Sequence, residues 1–70
     1  MISEKINNAL NQQINKEFYS SYLYLSISAY LRESGLLGFA RWTKMQAKEE
    51  LLHGEKIFDF LIDRKGTVHL

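Results

Sequence analysis

From Ser3 to Ser34 the chain contains neither proline nor glycine, so nothing along that stretch interrupts a helix. Proline is absent throughout, and the four glycines stand at positions 35, 38, 54 and 66. Ser3 is suited to cap a helix, because its hydroxyl can accept a bond from an N–H that the first turn leaves unpaired, and Glu4 complements the dipole there. Gly35 can take the left-handed conformation that closes a helix. Gly38 marks the end of a short turn, and a second helix runs to Gly66 with Arg64 and Lys65 in its last turn. Two helices over about 3–34 and 37–65 follow, each ~45 Å long at ~1.5 Å per residue. The expected fold class is all-α: a single antiparallel αα-hairpin spanning residues 1–70, with Thr67–Leu70 extended beyond it.

Two helices alone do not satisfy the apolar pattern. On a helical wheel Ile6, Leu10, Ile14, Tyr24 and Leu31 share one side of the first helix, which suits one partner. Between Phe18 and Leu31, however, Phe18, Tyr19, Tyr22, Leu23, Leu25, Ile27, Ala29 and Tyr30 cover nearly the whole circumference. A helix apolar all round is buried on several sides. Seventy residues without a cysteine are also near the limit at which one core suffices, and no disulfide can help. The chain is therefore expected to assemble, with another copy or with a part of the protein outside this sequence.

Charge and hydropathy narrow the partners. A formal charge of +1, with cations interleaved among acids, argues against nucleic acid. Phe18–Leu31 is the longest uncharged stretch, too short for a bilayer and rich in serine and tyrosine, so no membrane span is expected. Met1-Ile2-Ser3-Glu4-Lys5 does not read as a signal peptide. A cytoplasmic location is the expectation.

Glu17 and Glu50 stand where a leucine belongs. With Glu17 at zero on the wheel, Leu10, Ile6, Tyr24, Ser28 and Leu31 fall within about 40° of it. Phe39, Thr43, Ile57 and Leu61 fall within about 20° of Glu50, and His53 lies one turn on, about 60° round. In a hairpin that turns near residue 36, Glu17 and Glu50 sit at comparable distances from the turn and can meet at one level. Two carboxylates so placed repel, and one must hold a proton unless a cation removes the conflict. Carboxylate and imidazole ligands without sulfur suit iron, manganese or zinc. A Glu-x-x-His pair alone is a weak signal, usually a solvated i,i+3 pair. The metal-free alternative has both carboxyls neutral or bonded to core hydroxyls. Tyr24 reads either as a hydrogen-bond or electron donor to the site or as a core aromatic. Glu49, about 100° from Glu50, borders the site or pairs with a lysine. Trp42, Phe58 and Phe60 read as packing residues and His69 as solvated.

Asn15-Lys16-Glu17-Phe18-Tyr19-Ser20-Ser21-Tyr22-Leu23-Tyr24-Leu25 resembles the first helix of bacterial and archaeal non-haem ferritins. Gly38-Phe39-Ala40-Arg41-Trp42 and Glu49-Glu50-Leu51-Leu52-His53 resemble the second, and the similarity continues through Arg64-Lys65-Gly66-Thr67-Val68. The resemblance implies half of a four-helix bundle and a ferroxidase: a protein that binds Fe²⁺ at a di-iron centre, oxidises it with dioxygen or peroxide, and stores Fe³⁺ as mineral inside a shell. Glu17 then resembles a terminal ligand of the first iron, Glu50 the bridging carboxylate, His53 the nitrogen ligand and Tyr24 the site tyrosine. Glu49 resembles an acid that helps hold a third iron. Leu51 stands where haem-binding bacterioferritins place methionine, so no haem is implied.

Ferritins have four long helices and a short fifth, and this sequence holds two. The ligands of the second iron come from the third and fourth. A two-fold dimer of the hairpin would supply Glu17 and Glu50-x-x-His53 twice, matching the ligand pattern of ferritin-like sites. A truncated ferritin is the competing expectation, favoured by the Thr67–Leu70 stub, and a structural self-assembling hairpin without metal is a third. A peroxide-reducing protein of the rubrerythrin type would need cysteine ligands that are absent here.

Overall fold

The computed structural model describes residues 2–70, and among them it holds two helices and no strand. α1 spans Glu4–Glu33 and α2 spans Leu37–Asp63. They pack against each other as an all-α hairpin measuring 49 × 15 × 12 Å, only two helices thick in one direction and one in the other.

The helix ends follow from local chemistry. The Ile6 N–H donates to the Ser3 hydroxyl at 3.2 Å, and Glu4 occupies the first turn. At the other end of α1, the Gly35 N–H donates to the Arg32 carbonyl and the Leu36 N–H to that of Leu31, with Gly35 at φ +80°. α2 starts at Leu37, so Gly38 lies inside its first turn and not at the end of the preceding one. α2 also stops at Asp63, short of residue 65. Lys65, not a glycine, takes the left-handed conformation there, at φ +59°. Gly66 is needed for another reason: a Cβ on it would stand 2.6 Å from Asn7 Oδ1 and 2.7 Å from Leu61 Cδ2.

The seam between the helices is made of small and hydroxyl-bearing residues. Ile14 and Leu61 are wholly buried, joined by Asn11, Ser28, Ala40, Thr43, Ala47 and Gly54. Such short side chains let the backbones approach, and the hydroxyls then reach across to main-chain carbonyls. Ser21 Oγ donates to the Ala47 carbonyl and Ser28 Oγ to that of Ala40, each at 2.6 Å. Gly54 takes the Phe18 ring, whose Cε1 would lie 2.3 Å from an added Cβ.

Several residues expected to be covered are not. Phe39, on the stripe centred on Glu50, is 66% exposed, and Trp42 is 57% exposed; Ile6 and Phe60 are exposed as well. One partner helix covers one stripe, and these residues lie beyond its edge. Tyr19, Tyr22, Leu23, Leu25, Ile27 and Tyr30 are likewise exposed, around much of the α1 circumference. The accessible surface is 5507 Å², against about 4,500 Å² for a compact monomer of this mass. No helix among the described residues is long and apolar enough to cross a membrane.

Beyond α2 the extended Thr67–Leu70 segment runs back along the start of α1. Asn7, Asn11 and Asn15, spaced four apart on one helical stripe, hold its backbone. Asn7 exchanges a pair of bonds with Thr67, while Asn11 donates to the Thr67 carbonyl at 2.7 Å and accepts from the His69 N–H. Asn15 donates to the His69 carbonyl at 2.7 Å. Side-chain amides thus pair the segment as a neighbouring strand would.

Candidate metal centre

Glu17 lies near the middle of α1, and Glu50 and His53 lie near the middle of α2. Their positions answer to helical geometry. Glu50 and His53 are one turn apart on the same side of α2, and Glu17 sits at the level where the antiparallel partner passes them. One ligand atom from each of the three lies within 4.8 Å of the others. His53 Nδ1 is 4.0 Å from Glu17 Oε2 and 3.9 Å from Glu50 Oε2. A transition-metal ion about 2.2 Å from each ligand spans ligand pairs up to about 4.4 Å apart. Small side-chain rotations therefore suffice to close these atoms on one ion.

The carboxylates are the sheltered part of the cluster. The Glu17 and Glu50 side chains are 17% and 24% exposed, whereas His53 is 55% exposed. Glu17 sits below the usual carboxylate range, chiefly through its hydrogen-bonding contact with the Glu50 carboxyl. The bond from Gln13 Nε2 to Glu17 Oε1, 2.8 Å long, helps, and His53 and Lys16 add attraction. Glu50 is shifted the other way: the contact with Glu17 raises it first, with desolvation and the charges of Glu17 and Glu49 adding to the rise. Physically, two carboxyls in contact resist losing both protons, and the second ionisation of the pair is the one made harder.

Glu17, Glu50 and His53 converge, whereas Glu49 stands outside the cluster. Tyr24 is half-buried on α1, and Glu49 is exposed beside Glu50, acting on it through charge. Gln13 escaped the sequence reading. Its signal was there, a glutamine four residues before a glutamate, where the side chains of a helix meet.

The family model described as a ferritin-like domain matches residues 7–70. The chain belongs to the ferritin family. It is 50% identical over 66 residues to a bacterial non-heme ferritin of Bacteroides fragilis, covering 94% of this chain and 42% of that protein. A bacterial non-heme ferritin of Staphylococcus saprophyticus is 41% identical over 64 residues, covering 91% of this chain and 38% of the relative. Among solved structures, an open pore ferritin from the hyperthermophilic archaeon Archaeoglobus fulgidus superposes with a TM-score of 0.95 at 53% identity. All of this ferritin chain takes part in that match, and 43% of the other. The chain thus spans about two-fifths of the length of the curated relatives it matches. Its two helices correspond to part of the four-helix bundle of its structural neighbours.

Proposed function

We propose that Glu17, Glu50 and His53 bind Fe²⁺ as the substrate of a ferroxidase serving iron storage in the cytoplasm. The convergence of their three ligand atoms carries this reading. Membership of the ferritin family selects iron among the metals that an oxygen-and-imidazole set suits.

The roles are those the family resemblance implies. Glu50 would serve as the carboxylate shared by two irons, and metal binding would displace any proton it holds. Glu17 is a terminal ligand braced by Gln13. His53 supplies the nitrogen from the more open side of the cluster. Two Fe²⁺ would each surrender one electron, which with two protons reduces dioxygen to hydrogen peroxide or hydrogen peroxide to two waters, and an oxygen-rich ligand shell would favour the Fe³⁺ product. Tyr24, two turns from Glu17 on the same stripe, is assigned the part of an electron or hydrogen-bond donor by the family resemblance alone, and Glu49 that of a ligand for a further iron.

One hairpin supplies half of the ligands a di-iron site uses in this family's pattern, one Glu and one Glu-x-x-His. Two hairpins related by a two-fold axis supply the whole set and bury the apolar faces that each leaves open. The self-associated bundle is the arrangement we propose for these 70 residues by themselves. An anaerobic Fe²⁺ titration followed by air tests it: saturation at about one iron per chain, with oxidation on mixing, is the expected result. Absence of binding above background overturns the assignment for this chain.

A further inference from the structure

We propose that the turn end of the hairpin carries a second site, for a doubly charged tetrahedral oxyanion such as phosphate, formed by Arg32, Arg41 and Lys44. The three cations line one cleft of about 290 Å³, whose remaining walls are Ser28, Leu37 and Ala40. No acid lines it. Among the described residues none of the three cations has a carboxylate within 4.0 Å, the only close charged pairs being those of His53. Residues 34–48 contain no aspartate or glutamate, while Arg41, Lys44 and Lys48 follow one another along α2.

Such an accumulation is unfavourable when left alone. Arg41 and Lys44 are one turn apart on the same helix, where like charges repel, and Arg32 approaches from α1 across the cleft. A divalent anion lying between them removes the repulsion. Guanidinium groups present forked donors that match a tetrahedral oxyanion two oxygens at a time, and lysine adds a mobile point charge. The floor of the cleft does not compete for the cations. Ser28 is buried there and its hydroxyl is committed to the Ala40 carbonyl at 2.6 Å. The site lies toward the turn end, with Arg32 15 residues from Glu17 along α1 and Arg41 and Lys44 9 and 6 residues from Glu50 along α2; the cleft and the Glu17–Glu50–His53 cluster share no residue, so its occupation is separable from iron binding.

Titration of the chain with inorganic phosphate tests this, in chloride buffer of constant ionic strength and followed by calorimetry. Saturable binding is expected, weakened about tenfold in the double variant Arg41→Gln/Lys44→Gln. Lys5→Gln, at the opposite end of the hairpin, removes the same charge once and should leave binding unchanged. Should the double variant lose its helical circular dichroism, the single Lys44→Gln variant carries the comparison, and Arg41→Lys should keep most of the affinity. Equal weakening by Lys5→Gln, or no saturation above the chloride background, means diffuse screening and overturns the proposal.

Discussion

Glu17 and Glu50 owe their opposite shifts chiefly to the hydrogen-bonding contact between their carboxyls, and the consequences run in opposite directions with pH. The raised Glu50 keeps its proton where the unfolded chain has lost it, so the metal-free fold loses stability as pH rises from the usual carboxylate value through the Glu50 value. The lowered Glu17 contributes stability above the usual value, and that contribution is lost as pH falls through its own, lower, value. For this pair the metal-free protein is therefore most stable near the ordinary carboxylate value, with less stability at neutral pH. Thermal melts between pH 7 and pH 4 should show a rise on acidification that Glu50→Gln abolishes; the same slope in the variant would show that other acids are responsible. At neutral pH, Glu50→Gln should raise the melting temperature of the metal-free protein and eliminate Fe²⁺ binding. Retained iron binding in that variant would remove Glu50 from the site. His53→Ala should weaken Fe²⁺ binding while barely changing stability, because that side chain is more than half exposed.

At the scale of elements, α1 and α2 are held together less by large apolar side chains than by close approach. Gly54→Ala tests this, because the added methyl would overlap the Phe18 ring. A cost of about 1–3 kcal/mol from overpacking outweighs the ~1 kcal/mol that alanine gains over glycine in a helix. Chemical denaturation would measure it, and an increase in stability would contradict the contact. The asparagine clasp is a second device of this kind. Asn11→Ala removes the amide that grips both Thr67 and His69, so backbone exchange at His69 should quicken while the rest of α2 keeps its protection. Neither device is visible in the hydropathy pattern. A glycine inside a helix reads as a defect, and serines or asparagines on the inner face read as polar surface. Their value depends on how far away the opposite backbone is.

At the scale of the molecule, the hairpin leaves many large apolar side chains uncovered. Phe39 and Trp42 flank the turn, with Gly35, Leu36, Leu37 and Gly38 completing an apolar groove. Burying that surface is the largest available source of stability, since among the described residues Ile14 and Leu61 are the large side chains the seam buries wholly. Helicity of the 70-residue chain should therefore rise with concentration. Phe39→Glu should shift sedimentation toward monomer and lower helicity at a given concentration. Concentration-independent helicity in the unmodified chain would mean that the hairpin stands without a second copy.

The sequence by itself determined the two helices, the turn between them, the family, and the three residues whose ligand atoms meet. All of these depend on local signals: breakers, caps, and a 3.6-residue period that assigns each side chain a direction. Register followed in outline, because a turn near residue 36 leaves Glu17 and Glu50 at comparable distances from it, and the packed pair brought their ligand atoms together. The tertiary structure decided what depends on interhelical distance and rotation: that Phe39 and Ile6 fall outside the covered stripe, that Gln13 braces Glu17, and that Phe18 closes on Gly54. It also decided that Glu49 stands outside the converging set. A wheel fixes the angle at which a side chain leaves its helix, and only the packed pair fixes what that side chain meets.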